Sequence, residues 1–381
     1  MARPRALPRR KPPRHQTRRG RLDPHVFRQG RRRRAPVRRS PSMWRRLGSK
    51  GILLAGLLLL AGCMPSRFVA RRFAQAPNSY PRWFAPEPRV VFDYRDGLVT
   101  NFPLRHLAVA VPPARIAHRV VPPADYRLEV RTTNWVEHGL QKARFDFDAT
   151  VPAPPPNGVR KGTVFLLHGY ALDLETMVPW ALWLGERGWT AVLVDLRGHG
   201  QSTGKQVGFG PLEASDLDRL LADLDARGPL PRPIVALGNS YGASLALRWA
   251  ASNPGVDSAV AIAPYAELVP TIDRLRGDYV PWMPRRWVVA GARQLPRVLG
   301  QPPGELDTTT PLARRAVPAL LLAGGADVIA PPGEVGRLRC AAGPGSRLHV
   351  VPGASHESLP FRFPELAEVV GQWLDGRGER Q

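Results

Sequence analysis

The chain has 381 residues, which is enough for one large domain with appended segments or for two ordinary domains. Its formal net charge is +24, but residues 1–42 carry +15 and residues 43–62 carry +3, so only +6 remains for the rest of the chain. Because the basic charge is local and no nucleic-acid-binding motif accompanies the remainder, we expect no nucleic-acid partner.

The first 62 residues divide into a basic extension and a predicted targeting segment. Residues 1–42 are rich in Arg and Pro, and we expect them to be disordered, or not translated if synthesis starts at Met43. Residues 43–62, "MWRRLGSKGILLAGLLLLAG", combine positive charges, an apolar stretch and small residues, as a secretory signal peptide does. The apolar stretch has about ten residues and a membrane-spanning helix needs about 20, so we predict a signal peptide rather than a transmembrane helix.

Leu60-Ala61-Gly62-Cys63 resembles the lipobox of bacterial lipoproteins, in which the cysteine is acylated and becomes the first residue of the mature protein. The resemblance implies a lipid on Cys63 and a protein held on a membrane of the cell envelope, facing the periplasm or the exterior. The alternative is a plain signal peptide, or a short membrane anchor, with an incidental cysteine. Cys340 is interpreted as a structural or incidental thiol.

Residues 63–125 are rich in Pro, Arg and aromatic residues and contain only short strand-like runs, such as 90–92 and 107–111. We predict a tether followed by an irregular segment draped on the main domain.

From Tyr126 onward the pattern predicts a folded domain that extends to residue 377. Alternating residues at 127–131 and 142–150 predict a half-exposed antiparallel pair of strands. Short continuous apolar runs follow, which are typical of strands buried on both faces of a parallel sheet, and helical patterns separate them. The order indicates an α/β fold with a doubly wound, mostly parallel sheet. The predicted buried strands are 163–169, 190–195, 233–238, 258–264, 319–325 and 347–353.

The interval between Pro264 and Pro318 is too long for a simple crossover. It contains several Trp, Pro and Arg residues, and we predict an inserted helical cap over about 265–317, covering the carboxyl-terminal edge of the sheet.

A serine stands between two glycines in "GNSYG", residues 238–242, directly after a predicted strand and before a predicted helix. In such a turn Gly238 and Gly242 avoid collisions with neighbouring backbone, and the Ser240 hydroxyl projects above the sheet beside the first N–H groups of the helix. Ser240 is therefore the predicted nucleophile.

A serine hydroxyl needs a base to take its proton, and the base needs an acid to orient it. Asp327 and His356 each follow a later predicted strand, so they can meet Ser240 at one edge of the sheet. His349 lies within a predicted strand and Asp257 lies at the opposite edge of the sheet, so we expect neither in the triad. His199 is interpreted as a loop residue and Asp307 as a cap residue.

The donors for an oxyanion are predicted to be backbone N–H groups. One belongs to Tyr241, after the nucleophile, and the other to Tyr170, in the loop after the strand that ends at His168-Gly169. His168 is interpreted as a residue that shapes this loop.

With "HGY", "DLRGHGQS", "GNSYG", "GGADVIAPP" and "GASH" in this order, the chain from about 126 to 377 resembles the α/β-hydrolases, in particular serine esterases, lipases and peptidases. The resemblance implies acyl transfer to Ser240, with His356 as general base and acid, Asp327 as its partner, and no metal or organic cofactor. Asn239 is a modest departure, because many relatives carry another residue there.

The leading hypothesis is a lipid-anchored serine hydrolase acting on small or lipid-like acyl esters or thioesters. A lipase or an aminopeptidase-like enzyme remains open, because the cap and the pocket set specificity. A hypothesis of another class is a non-catalytic envelope lipoprotein on a hydrolase fold.

Overall fold

The strands follow the predicted apolar runs closely. The computed structural model describes residues 66–79, 90–94, 102–127, 129–137, 140–148 and 160–378. The predicted basic extension (1–42), the signal peptide (43–62) and Cys63 lie outside the described residues. The strands are β1 (Val90–Tyr94), β2 (Arg105–Val109), β3 (Ala114–Val121), β4 (Glu129–Glu137), β5 (Leu140–Asp148), β6 (Gly162–Leu167), β7 (Trp189–Val194), β8 (Ile234–Asn239), β9 (Ser258–Ile262), β10 (Ala319–Gly324) and β11 (Arg347–Val351).

Eight of these strands form the main sheet, in the order β11-β10-β9-β8-β6-β7-β3-β2. The strands from β6 to β11 run parallel, whereas β3 pairs antiparallel with both β7 and β2. All residues of β6, β7, β9 and β10 are buried, as expected for a sheet covered on both faces. The prediction of a mostly parallel α/β sheet is confirmed.

Helices cover both faces of this sheet. They are α1 (Ser66–Ala74), α2 (Val178–Glu186), α3 (Pro211–Arg227), α4 (Tyr241–Ser252), α5 (Leu268–Tyr279), α6 (Arg285–Val298), α7 (Thr309–Arg314), α8 (Pro332–Ala342) and α9 (Phe363–Gly378). One apolar core lies between the sheet and the helices α3, α4 and α8, and a second lies between the opposite face and the helices α2 and α9. Alternate strand residues serve the two cores: Phe165 belongs to the first and Leu166 to the second.

Two strands of the main sheet precede residue 126, where the hydrolase domain was expected to begin. Both β2 and β3 belong to the segment predicted to be irregular, and Phe102 and Tyr126 are buried in the core against α2 and α9. In addition, the backbone N–H of Val207 donates to the carbonyl of Ala74, at the end of α1. The predicted tether and irregular segment are therefore wrong for residues 66–79 and 102–125, which pack into the domain.

The predicted antiparallel pair corresponds to β4 and β5, which pair over their whole length. They form a separate three-stranded sheet with β1, which runs parallel to β5. The prediction of this pair is confirmed.

Three helices, α5 to α7, lie where the cap was predicted, between β9 and β10. At the end of α5 the Tyr279 hydroxyl donates to Glu357 Oε1 at 2.6 Å, and Arg274 on the same helix donates to the carbonyl of Ile329 at 2.5 Å. The helical insertion therefore contacts the loops that follow β10 and β11. Within the described ranges, no helix is both long and apolar enough to cross a bilayer.

Candidate active site

The turn between β8 and α4 holds Ser240 in an unusual backbone conformation. Its φ is +52° and its ψ is −108°, in a region that costs a non-glycine residue about 1–3 kcal/mol. The turn is fixed by hydrogen bonds: the Ser240 N–H donates to the carbonyl of Ile262 at 2.7 Å, and the Ser240 carbonyl accepts from Ala243 and Ser244, each at 3.0 Å. Strain of this kind persists only where the surroundings hold it, and it places the hydroxyl at the carboxyl end of β8.

The two flanking glycines are required by close packing. A Cβ on Gly238 would overlap the carbonyl of Gly242, and a Cβ on Gly242 would overlap the carbonyls of Leu167 and His168. The first turn of α4 therefore lies directly against the end of β6.

Ser240, His356 and Asp327 form one chain of hydrogen bonds. The distance from Ser240 Oγ to His356 Nε2 is 2.8 Å, and the distance from His356 Nδ1 to Asp327 Oδ2 is also 2.8 Å. With a proton on Nδ1, the imidazole donates to the carboxylate and accepts from the serine hydroxyl. The structure thus brings together the three side chains predicted as a triad, although 116 residues separate the serine from the histidine.

The three hydrogen-bonded side chains differ in their exposure to solvent. The Asp327 side chain is fully buried, whereas the His356 side chain is 12% exposed and Ser240 is half-buried. The second carboxylate oxygen of Asp327, Oδ1, accepts the backbone N–H groups of Ile329 and Ala330 at 2.8 and 2.7 Å. These two donors fix the carboxylate so that Oδ2 faces the imidazole.

The two residues predicted to supply oxyanion donors lie side by side. Tyr241 opens α4, where the first N–H groups of a helix have no intrahelical acceptor. Tyr170 lies in the turn after β6, and its ring is 5.8 Å from that of Tyr241, edge to face. Burial raises the pKa of the Tyr241 phenol well above its usual value, so this side chain stays neutral.

His168 is a structural residue of the loop, as interpreted from the sequence. Its Nδ1 donates to the carbonyl of Gly169 at 2.7 Å, and its Nε2 accepts the backbone N–H of Leu196 at 3.0 Å. Burial, and next the neighbouring His199, lower the pKa of His168 to about 3, so the ring is neutral. It joins the loops that follow β6 and β7.

Asp195 supports the same loops and was missed by the sequence interpretation. Its Oδ1 accepts the N–H of Leu174 and its Oδ2 accepts the N–H of Gln201, both at 2.7 Å. Burial raises the pKa of this carboxyl to about 6. Asp195 directly follows β7, so the signal that pointed to Asp327, an aspartate after a buried strand, is present here too.

The remaining candidates have other partners than Ser240, although the His199 ring lies 5.9 Å from the ring of Tyr241. Asp257 accepts the N–H of Ile234 at 2.7 Å, at the beginning of β8, and Asp307 accepts the N–H of Leu268 at 2.8 Å. His199 Nδ1 donates to a backbone carbonyl at 2.9 Å, and His349 lies 3.9 Å from Glu365.

Comparisons with known proteins agree with this architecture. A family model described as "Serine aminopeptidase, S33" matches residues 158–302. The monoacylglycerol lipase of Mycolicibacterium smegmatis is 32% identical over 126 residues, which are 33% of this chain and 44% of that protein. An uncharacterized protein of Mycobacterium tuberculosis is 29% identical over 228 residues, covering 59% of this chain and 69% of that protein. The chain thus spans less than half of the M. smegmatis relative.

Solved structures extend the likeness over most of the domain. The Pyrococcus furiosus esterase Pf2001 superposes with a TM-score of 0.53 at 20% identity, covering 76% of this chain and 98% of that one. The α/β-hydrolase GrgF of Penicillium sp. sh18 superposes with a TM-score of 0.50 at 16% identity, covering 72% and 96%. Together with the strand order and the turn at Ser240, these likenesses establish that the chain has the α/β-hydrolase fold.

Proposed function

We propose that this chain is a serine hydrolase that cleaves carboxylic esters through an acyl-enzyme on Ser240, and that a lipid on Cys63 anchors it to a membrane of the cell envelope. The observation that carries the enzymatic part is the continuous set of hydrogen bonds from Ser240 Oγ through His356 to Asp327.

In the proposed reaction, Ser240 Oγ attacks the carbonyl carbon of the ester while His356 Nε2 takes the hydroxyl proton. Asp327 holds the imidazole in the productive tautomer and stabilises the imidazolium. The backbone N–H groups of Tyr241 and Tyr170 stabilise the oxyanion, and removal of one such donor costs about 3 kcal/mol of barrier. The imidazolium then protonates the leaving alcohol, and a water deprotonated by His356 releases the acid from Ser240.

Exposed apolar side chains on the loops and the inserted segment favour an apolar acyl group. Val328, which follows Asp327, is 69% exposed, and Trp282 in the inserted segment is 67% exposed. Tyr170, Leu172 and Tyr279 are further exposed apolar side chains on the loops and the helix already described. We infer that these side chains contribute to one apolar surface, the kind of surface that marks a ligand-binding site.

The direct test of the enzymatic part is covalent labelling. A fluorophosphonate probe should form an adduct on Ser240 of the folded protein, identified by peptide mass spectrometry, and the Ser240→Ala variant should give none. Folded protein that forms no adduct would refute the proposal. If Ser240→Ala fully supports the cellular role of the protein, the non-catalytic envelope lipoprotein is the correct alternative.

The substrate class is tested with a panel of acyl esters and thioesters of graded chain length, together with aminoacyl anilides. Likeness to a protein described as a monoacylglycerol lipase favours acyl esters, whereas the family model that matches 158–302 favours a peptidase as second candidate. We expect esters to be hydrolysed with the higher kcat/KM. A preference for anilides would replace the esterase proposal by the peptidase.

The anchor is tested by the intact mass of the mature protein. An N-terminal acylated Cys63 is expected, and Cys63→Ala should abolish the modification and the cleavage before it. A mature chain that begins elsewhere would refute the anchor and leave the enzymatic proposal untouched.

A further inference from the structure

Two helices that are distant in the sequence, α1 and α6, pack against each other on the domain. Val69 and Ala70 of α1 are buried, and Gly291 of α6 lies so close that a Cβ there would overlap Val69. The chain is therefore fixed to the domain from Ser66 onward, where the sequence had predicted a tether.

The outward sides of these two helices are strongly basic. Neither helix contains an aspartate or a glutamate. Arg285 pairs with Asp273 at 2.6 Å, but five other exposed arginines form no ion pair with any residue in the described ranges. These five and the exposed Phe68 define what we name the α1–α6 face: Arg67, Phe68, Arg71, Arg286, Arg293 and Arg297.

Exposed aromatic rings accompany the arginines. The Phe68 side chain on α1 is 51% exposed, and Trp282, in the connection that leads into α6, is 67% exposed. Arginines beside exposed aromatic rings are typical of surfaces that lie on a membrane, because the cations contact anionic headgroups while the rings enter the interfacial layer.

The position of Cys63 in the sequence favours a membrane over other anionic partners. Only Met64 and Pro65 separate it from Ser66, the first residue of α1. Three residues span at most about 10 Å, which is comparable to the Debye length of about 8 Å at physiological salt. An acyl group on Cys63 would therefore hold α1 within the electrostatic reach of the bilayer surface.

We propose that the α1–α6 face binds the surface of a bilayer containing anionic phospholipids. This contact would act in addition to the proposed lipid anchor. Only the argument from the position of Cys63 depends on that anchor. The last residue of the neighbouring α5, Tyr279, contacts Glu357 beside His356, so the catalytic edge borders the same region of the protein. Binding in this orientation presents the site to lipid esters of that membrane.

Vesicle binding of the full chain tests the proposal, with Cys63→Ser in every variant so that no acyl group contributes. The test variant is Arg67→Glu/Arg71→Glu/Arg293→Glu. The matched control, Arg160→Glu/Arg339→Glu/Arg347→Glu, changes the net charge equally. Its exposed arginines lie before β6, in the last turn of α8 and at the amino end of β11, opposite the catalytic edge. Both keep residues 1–62, whose basic charge thus contributes equally.

Partition into phosphatidylcholine vesicles with about one-third phosphatidylglycerol should fall by at least roughly 100-fold in the test variant. The loss of each arginine near the surface contributes about a factor of five, and the added glutamates are repelled in addition. The control should change much less, and high salt or pure phosphatidylcholine should remove the difference. Equal losses in both variants, or equal binding to neutral vesicles, would overturn the proposal. So would a test variant that lost binding to duplex DNA but not to vesicles.

A second measurement reports orientation. A fluorophore on Arg67→Cys, in a Cys63→Ser/Cys340→Ser background, should be quenched by lipids with a quencher on the headgroup, whereas one on Arg347→Cys should not. Equal quenching at both positions would contradict the assigned face. Neither readout depends on acylation of Cys63 or labelling of Ser240, so failure here is distinct from failure of the proposed function.

Discussion

Replacing Asp327 by asparagine changes one oxygen of a buried carboxylate into an NH2 group. The surrounding hydrogen-bond donors determine whether the NH2 group takes the position of Oδ1 or of Oδ2. Oδ1 accepts two backbone N–H groups, and Oδ2 accepts from His356 Nδ1. An amide turned with its NH2 toward Ile329 and Ala330 would leave two buried donors without an acceptor, at about 1–3 kcal/mol each. The asparagine oxygen should therefore stay with the backbone, and the NH2 should face the imidazole.

This orientation forces the wrong tautomer on His356. Because the NH2 group can only donate, Nδ1 must accept, and the ring proton moves to Nε2. Nε2 then donates to Ser240 Oγ and no longer takes its proton. We expect the rate of fluorophosphonate labelling of Ser240 to fall roughly 10⁴-fold, which corresponds to about 5.5 kcal/mol of barrier.

Labelling kinetics measure this loss without knowledge of the substrate, and urea unfolding measures stability in parallel. Asp327→Asn should change the free energy of unfolding by only about 1 kcal/mol, because both backbone donors keep their acceptor. Asp327→Ala is the control: it leaves both donors unpaired and should destabilise the fold by about 2–6 kcal/mol. If Asp327→Asn kept more than about a tenth of the labelling rate, the orienting role of Asp327 would be wrong.

Further predictions concern the packing and the buried charges. Gly242→Ala should abolish folding or labelling, because its Cβ would overlap backbone atoms at the end of β6. As a control, Gly336→Ala inside α8 should raise the melting temperature, because alanine stabilises a helix by about 0.5–1 kcal/mol relative to glycine. Similar effects of the two substitutions would contradict the close packing at Gly242. Arg197→Met should cost about 3 kcal/mol in urea unfolding, since it removes the bidentate partner of the buried Asp216 carboxylate and leaves only the partly exposed Arg219 at 3.7 Å. Arg197→Met/Asp216→Leu should recover much of this loss. A single variant as stable as wild type would be inconsistent with the burial of this pair. The pKa of His168 is lowered to about 3 in the folded protein, whereas a histidine in the unfolded chain has a pKa of about 6.5. Below about pH 6.5 only the unfolded chain takes up this proton, so the free energy of unfolding falls as the pH decreases. The stability advantage of wild type over His168→Gln should shrink by about 2 kcal/mol from pH 7 to pH 5 in urea titrations, and a pH-independent difference would count against a neutral buried ring.

The predictable part of the fold is the part whose signal is local. The strands from β6 to β11 are continuous apolar runs, and the structure places each within about two residues of its predicted position. In contrast, β3 contains the buried His118 and lies between prolines, which favour irregular structure, and its partner β7 follows some 70 residues later. Such a pairing leaves no pattern in the segment itself.

The candidate site shows the same division. The order of Ser240, Asp327 and His356, which follow β8, β10 and β11, was sufficient to predict that they meet. The same local signal marks Asp195, and only the structure shows that backbone donors occupy both of its oxygens. The role of an aspartate after a buried strand thus depends on the loops around it, which sequence pattern does not specify.

The antiparallel contact between β3 and β7 has a practical consequence for recombinant work. A fragment that starts at residue 126 would lack both β2 and β3, and the fully buried β7, "WTAVLV", would become the border of the sheet. Without charged residues or prolines, a bare strand of this kind offers its unpaired amides and carbonyls to other chains. Such a fragment should precipitate through strand-to-strand association between molecules, so a soluble catalytic fragment should begin upstream of α1.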